Sequence, residues 1–294
     1  MNQAKIFAAV VTFNRKKQLR VCLEKLLAQT RKPDQICIID NASTDGTFDF
    51  IRDLTQTDKN IIYCNTGCNM GGSGGFHLAF EKFLESDADF IWGMDDDAFP
   101  EPDALEKLIE FQTRCTRRAC TVCLAIPYEK DKEEYLNACV PPATRAEELT
   151  FVGFLLPRGL VETIGLPMKN LFIYYDDINY SERIIQAGYE IYIVRDAVIH
   201  HTFWKNLLSK TVAGRTFQIP DLSGWKWYYY MRNGLLIYPR HHAKRKNLLK
   251  WNMKMLLSVI LIRPRYAGTA LKGIVDGLRG IDGKRKQKKH TRSN

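Results

Sequence analysis

The sequence predicts an α/β fold in which a mostly parallel sheet is flanked by helices and continues into a helical, basic C-terminal extension. Three observations predict it. Over the first 65 residues, runs of β-branched and aromatic residues alternate with apolar repeats at helical spacing, the order of a parallel sheet whose crossovers are helices. Several of those runs end directly in polar clusters, which is how strands deliver binding groups to their carboxyl ends. Beyond Gly224 the pattern is helical and the charge turns strongly positive.

Ile6 to Phe13 is a continuous apolar run ending in Asn14-Arg15, as expected of a parallel strand buried on both faces. Leu19, Cys22, Leu23, Leu26 and Leu27 repeat at helical spacing. Gln35 to Ile39 is a second strand, stopped by Asp40-Asn41-Ala42-Ser43-Thr44-Asp45-Gly46, a segment of turn formers and helix caps. A helix from Thr47 to Leu54 and a strand from Ile61 to Cys64 complete β-α-β-α-β. Next comes Asn69-Met70-Gly71-Gly72-Ser73-Gly74-Gly75-Phe76, read as flexible backbone, then a helix through Leu84 and a strand from Asp89 to Met94 that runs into Asp95-Asp96-Asp97. Pro100, Pro102 and Asp103 open a helix from Ala104 to about Thr113.

Cys115 to Thr150 is weakly patterned, with one strand at Thr121 to Ile126. Phe151 to Leu156 is a strand, Arg158 to Ile164 a short helix, and Phe172-Ile173-Tyr174-Tyr175 leads into Asp176-Asp177. A helix from Ile178 to Gln186 stops at Gly188, which adopts the left-handed cap without steric cost. Tyr189 to Val194 is a strand, and Ala197 to Ile199 leads into His200-His201. Three helices follow, Trp225 to Tyr238, Lys244 to Ile262 and Tyr266 to about Leu278. Leu248, Trp251, Met255, Val259 and Ile262 fall on one face of the middle helix.

The formal charge of +10 resembles a nucleic-acid signal until it is divided along the chain. Arg240 to Asn294 holds 16 Lys and Arg against 2 Asp and Glu, a net +14, whereas the first 239 residues carry −4. That asymmetry points to an anionic partner for the tail. Its charges interleave with Leu, Trp, Met and Ile at helical spacing, which suits an anionic membrane surface better than a nucleic-acid groove. The longest apolar run in the tail, within Met255 to Ile262, is far short of the ~20 residues a spanning helix needs, so contact would be peripheral. The apolar run near the N-terminus is too short for an export signal and is followed by Asn14-Arg15-Lys16. Eight scattered cysteines read as reduced thiols, and Cys120-x-x-Cys123 lacks a second pair at zinc spacing. These features predict a cytoplasmic chain on the inner face of the plasma membrane, with residues 281–294 a disordered basic tail.

The acidic triplet carries the chemistry. Like charges this close repel, so the arrangement persists most readily around a cation, although an Asp-rich turn also serves as a helix cap. A strand end points Asp95 and Asp97 to the same side, where both reach one divalent ion. In the glycine segment, the N–H groups of Gly71 and Gly72 can approach a nucleotide or phosphate closely. It is neither a dinucleotide fingerprint, since His77 occupies the third glycine position, nor a P-loop, since no Gly-Lys-Ser/Thr follows. A nucleotidyltransferase is the enzymatic rival, but it needs a basic residue early in the glycine loop and none lies between Asn65 and Ala79.

Taken together, Val10-Val11-Thr12-Phe13-Asn14-Arg15, Asp40 through Thr47, Asn69 with Gly71 to Phe76, and Asp95-Asp96-Asp97 resemble the family 2 glycosyltransferases of the GT-A fold. Phe172 to Tyr180 and Tyr228-x3-Arg232-Asn233 extend the resemblance over most of residues 5 to 240. Within the family, the glycine segment, the triplet and Tyr-Asp-Asp with a later His-x-x-Trp are most similar to galactofuranosyltransferases and rhamnosyltransferases.

The resemblance implies a Rossmann-like catalytic domain over residues 1–223, and the helical pattern beyond it predicts an amphipathic helical region over 224–280. It implies an inverting transfer from a nucleotide-diphosphate sugar, UDP favoured, to a glycan or lipid-linked acceptor. Thr12, Arg15, Asp40 and Asn69 would contact the nucleotide and Asp96 the donor sugar or ribose. Asp95 and Asp97 would hold Mn2+ or Mg2+ with His201, favoured over His200 by its spacing to Trp204. Asp177, or failing it Asp176, would be the general base. Trp204 would stack on a sugar or fill the core.

Overall fold

Every residue of β1 (Ile6–Thr12) is buried, because the strand sits mid-sheet with helices on both faces. The computed structural model describes residues 3–115, 118–128, 130, 133, 135–136, 142–201 and 207–285. β1 pairs in parallel with β2 (Gln35–Asp40) and β4 (Phe90–Asp95), and β2 with β3 (Ile61–Asn65). The crossovers are α1 (Lys16–Leu27), α2 (Thr47–Thr57) and α3 (Gly71–Glu85). The two-residue alternation of β1 feeds two cores. Ile6, Ala8 and Val10 join Leu19 and Leu23 of α1, while Phe7, Ala9 and Val11 join Phe76, Phe80 and Phe83 of α3. Each of the larger of these side chains contributes about 1.5–3 kcal/mol by leaving water, so the strand is anchored from both sides.

The first unit continues with β5 (Phe99–Pro100), α4 (Ala104–Arg114), β6 (Ala119–Ile126), β7 (Ala143–Ala146), β8 (Phe154–Pro157) and α5 (Arg158–Ile164). They are followed by α6 (Asp176–Gln186) and β9 (Glu190–His200). The sheet order is β3-β2-β1-β4-β8-β6-β9, and both β5 and β7 add to β9. Its long ladders are parallel and its antiparallel ones short, so the α/β, mostly parallel architecture expected from the sequence holds.

Three local expectations change. The glycine segment is not loop: α3 begins at Gly71, and a Cβ on Gly75 would stand 2.4 Å from Val11 Cγ1, so glycine is what lets the helix lie against β1. Phe151 to Gly153 precedes β8 instead of belonging to it. The two strands read at 189–199 are one, interrupted by a register shift opposite Cys123 and Leu124 that accommodates the polar Arg195-Asp196.

The second unit comprises Lys169–Tyr175 and Leu208–Asn294. Its hairpin, β10 (Leu207–Val212) and β11 (Arg215–Pro220), turns through Ala213 and Gly214, both at positive φ as a tight two-residue turn requires. The helices are α7 (Gly224–Leu236), α8 (Ala243–Ile262) and α9 (Ala267–Arg279). Leu248, Met255, Val259 and Ile262, the apolar face read from the sequence, pack with Trp227, Met231 and Ile274. That face is therefore core, not a membrane-facing stripe, and Trp251 leaves it, 49% exposed. The solvent side of α8 instead carries Met253, Leu257 and Ile260 beside Lys246, Lys250 and Lys254.

The chain between Leu171 and Tyr175 is strained. Phe172, Tyr174 and Tyr175 have φ of 72°, 66° and 69°, a region that costs an L residue about 1–2 kcal/mol each. Residues 281–285, the start of the basic tail, make backbone and side-chain contacts: Gly283 N–H donates to Asn170 O (2.7 Å), Asn170 Nδ2 to Asp282 (3.1 Å), and Arg285 N–H to Tyr229 Oη (2.9 Å). The remainder of the basic tail, 286–294, lies outside the described residues. No helix among the described residues is long and apolar enough to cross a membrane.

Candidate active site

Strand register gathers the polar residues at one edge. Thr12 stands opposite Asp40, Asp40 opposite Asn65, and Val11 opposite Asp95, so four parallel strands end together. Thr12 Oγ1 donates to Asp96 Oδ2 (2.7 Å), and Arg15 Nη1 to Asp96 Oδ1 (3.1 Å) and to Asp97. The loops leaving β1 and β2 lock together. Asn14, at φ 54°, donates its N–H to Ser43 Oγ (2.8 Å) and accepts the Thr44 N–H (2.7 Å), while Lys16 N–H reaches Asp45 (2.9 Å).

Asp40 is fully buried and accepts from Ser43 N–H (2.9 Å) and Tyr63 Oη (2.6 Å). Burial and the Asp40 hydrogen bond push the Tyr63 phenol up to about 12. Asn69 accepts the Gly71 N–H (2.8 Å), and the buried Asn41 bridges the same turn, accepting from Met70 N–H (3.3 Å) and donating to Gly71 O (3.2 Å). Gly71, at φ +74°, is buried, and Gly72 borders open space. The sequence reading gives neither Tyr63 nor Asn41 a role of its own in the site. Tyr63 shares its strand face with Asn65 at the same edge, a period-two signal, whereas Asn41 carries no mark that separates it from an ordinary turn residue.

Asp95, Asp97 and His201 come together, with one ligand atom from each lying within 4.8 Å of the others. Burial, then the charges of Asp97 and Asp96, push Asp95 well above the usual carboxylate range. Burial pushes Asp96 up to about 6 against the Arg15 charge and the Thr12 hydroxyl. It acts the same way on Asp97, but the His201 contact (3.4 Å) and Arg15 outweigh it and hold that carboxyl below its ordinary value. The two histidines diverge as a strand end requires. His200 Nε2 meets Glu101 Oε1 (2.6 Å) and its ring stacks on Tyr128, whose hydroxyl donates to Asp97 O (3.0 Å). Two carboxylates and an imidazole form a donor set that fits a Mn2+ or Mg2+ ion.

Asp176 and Asp177 open α6. Asp176 is buried and Asp177 half-buried, with Oδ1 accepting the Ile178 N–H (2.8 Å). Burial, then the Asp176 charge, pushes Asp177 up to about 7, and burial takes Asp176 to about 6. Such values suit a group that must take up a proton near neutral pH. The charge of Asp176 also reaches Asp95. Trp204 lies outside the described residues.

Comparison with known proteins bears on the family and the fold. The family model "Glycosyl transferase family 2" matches residues 8–154, half of the chain. Galactofuranosyltransferase GlfT1 of Mycobacterium tuberculosis is 28% identical over 254 residues, covering 79% of this chain and 82% of its own. The dTDP-rhamnosyl transferase RfbF of Shigella flexneri is 22% identical over 300 residues, 95% of this chain and 97% of its own. Among solved structures, a mannosyltransferase, PcManGT from Pyrobaculum calidifontis in complex with GDP-Man and Mn2+, has the same fold. Its TM-score is 0.60 at 14% identity, over 94% of this chain and 88% of that one. TarS 1-349 of S. aureus in complex with UDP-GlcNAc gives 0.57 at 13%, over 94% and 81%. With a family model spanning half its length, relatives among galactofuranosyl and rhamnosyl transferases matched over most of their length, and a GT-A architecture, the chain belongs to glycosyl transferase family 2.

Proposed function

We propose that this glycosyltransferase moves galactofuranose or rhamnose from a nucleotide-diphosphate donor, UDP-linked in the favoured reading, to a hydroxyl of a glycan or lipid-linked acceptor, inverting the anomeric centre. The observation that carries the reading is the Asp95, Asp97 and His201 cluster on the edge that also bears Thr12, Arg15, Asp96 and Asp40. The names of the relatives supply the sugar class.

Thr12, Arg15, Asp40 and Asn69, with the Gly71 and Gly72 amides, hold the nucleotide, and Asp96 holds the ribose or donor sugar. Asp95, Asp97 and His201 would hold a divalent ion. The chemistry a bound Mn2+ or Mg2+ supplies is neutralisation of charge on the departing diphosphate. Asp177 takes the proton of the acceptor hydroxyl as that oxygen attacks the anomeric carbon on the face away from the nucleotide, which inverts the configuration.

Calorimetric titration of UDP in the presence of Mn2+, repeated with Asp95→Ala and Asp97→Ala, tests the donor site. Metal-dependent binding lost in both variants supports it, and UDP-galactofuranose and dTDP-rhamnose are then compared for turnover. Binding that survives both substitutions removes the cluster from the donor site.

The acceptor reading extends to location. The basic C-terminal region docks the enzyme peripherally on the anionic inner face of the plasma membrane, where lipid-linked acceptors are presented. The solvent side of α8, with lysines interleaved among Met253, Leu257 and Ile260, supports this reading.

A further inference from the structure

The strained segment before the acidic pair is held by two buried side chains of α7 that have no other evident task. Arg232 and Asn233 are both fully buried. Asn233 Nδ2 donates to three carbonyls of one turn, Leu171 O (2.9 Å), Ile173 O (2.6 Å) and Tyr174 O (3.1 Å). Arg232 Nη2 reaches the Leu171 carbonyl as well (3.0 Å), and its Nε donates to Asn233 Oδ1 (2.7 Å), which fixes the amide orientation. The guanidinium is itself sandwiched over Tyr228 and Tyr229 and closes on Gly283 O (2.7 Å).

The turn so held contains Phe172, Tyr174 and Tyr175 at positive φ, where bulky aromatic residues are least at ease. Glycine or asparagine would build such a turn without a clamp. The aromatics anchor it further: Phe172 stacks on Tyr229 at 4.9 Å, and a Cβ on Gly234 would meet the Tyr175 ring at 2.9 Å. Tyr175 is bonded directly to Asp176, the first residue of α6, and Asp177 follows. Backbone strain that the surroundings over-determine collects where geometry matters for function.

We propose that Asn233, oriented by Arg232, is a positioning residue for the general base: it holds the Leu171, Ile173 and Tyr174 carbonyls so that the chain enters α6 with Asp177 directed at the acceptor hydroxyl. The inference rests on the assignment of Asp177 as base. Asn233 touches no reacting atom and acts through the turn alone.

The experiment is a double-mutant cycle on the full chain, measuring nucleotide release from the sugar nucleotide that turns over, UDP-galactofuranose tested first, with an alkyl glycoside acceptor. Asn233→Ala lowers kcat about 100-fold with donor KM unchanged, keeps metal-dependent UDP binding, and moves the acid limb of the pH–kcat profile. In an Asp177→Asn background the same substitution has no further effect, because the group it positions is gone. If the two losses multiply, or if Asn233→Ala alone changes kcat less than twofold, the positioning role is overturned. Should Asn233→Ala fail to give a cooperative thermal transition, Asn233→Ser, which keeps one donor, is read in the same cycle against the same criteria. Full activity of Asp177→Asn with normal Asn233 dependence would instead overturn the base assignment, so the two failures are separable.

Discussion

The hydroxyl of Thr12 donates to the middle carboxylate of the acidic triplet, Asp96, across 2.7 Å, joining the last residue of β1 to the turn that leaves β4. Asp96 is buried, with its other oxygen on Arg15, so both of its oxygens are committed before any ligand arrives. A hydrogen bond to a charged group is worth about 1.5–3 kcal/mol net. Thr12→Val removes that bond without changing volume, and the Asp96 pKa, already near 6, rises further. UDP affinity is expected to fall at least tenfold by calorimetry. An unchanged affinity would take both Thr12 and its bond to Asp96 out of donor binding.

A divalent ion held by Asp95, Asp97 and His201 would link metal to stability. A ligand that binds the folded state alone stabilises it by RT ln(1 + [L]/Kd), about 2.7 kcal/mol at a hundredfold excess over Kd. Mn2+ is therefore expected to raise the thermal midpoint of the wild type by several degrees. Asp97→Ala and His201→Ala should abolish that rise. His200→Ala should keep it, because His200 is engaged with Glu101. Loss of the rise in His200→Ala with its retention in His201→Ala would reverse the assignment of the two histidines.

As the proposed base, Asp177 would set the pH dependence of turnover. Burial and the Asp176 charge raise it to about 7, so a base acting in its ionised form makes kcat climb as pH rises through about 7 and level off above. Asp177→Asn is expected to lose about 100-fold or more in kcat and to flatten that limb, while UDP binding persists. The stability effect has the opposite sign. A carboxyl whose folded pKa is raised destabilises the fold above its unfolded pKa of about 4, increasingly so until it is ionised beyond about 7. Asp177→Asn should thus raise the thermal midpoint at pH 8 and leave it unchanged at pH 4. A lower midpoint at pH 8 would contradict the burial of this charge.

The sheet and its polar edge were legible because β1, β2 and β4 are buried on both faces and read as unbroken apolar runs ending in Asn14, Asp40 and Asp95. The glycine segment was misread because intrinsic propensity disfavours glycine in helices, whereas here the close approach to Val11 decides the matter. The hairpin of β10 and β11 was missed because most of its residues face solvent and no alternation marks it. The clamp on Leu171 to Tyr174 was invisible for another reason. Arg232-Asn233 lies about 60 residues from the carbonyls it holds, and no local pattern announces a side chain spent on distant backbone.

The membrane reading turns on which face of α8 is free. Since Met255, Val259 and Ile262 belong to the core of the second unit, deleting the chain after Pro239 would remove that core along with any docking surface. Substitution on the solvent side separates the two effects. Lys246, Lys250 and Lys254 are exposed, and each basic residue near an anionic surface contributes about 1 kcal/mol. Replacing all three by Gln should weaken binding to vesicles containing about one-third anionic lipid by roughly 100-fold, a loss that fades as salt screens the wild type. Leu257→Glu, at a residue 50% exposed, should weaken binding by inserting a charge where apolar surface meets the headgroups, while the thermal midpoint stays near wild type. Flotation that is indifferent to both substitutions would leave the basic charge of α8 as a solvated face.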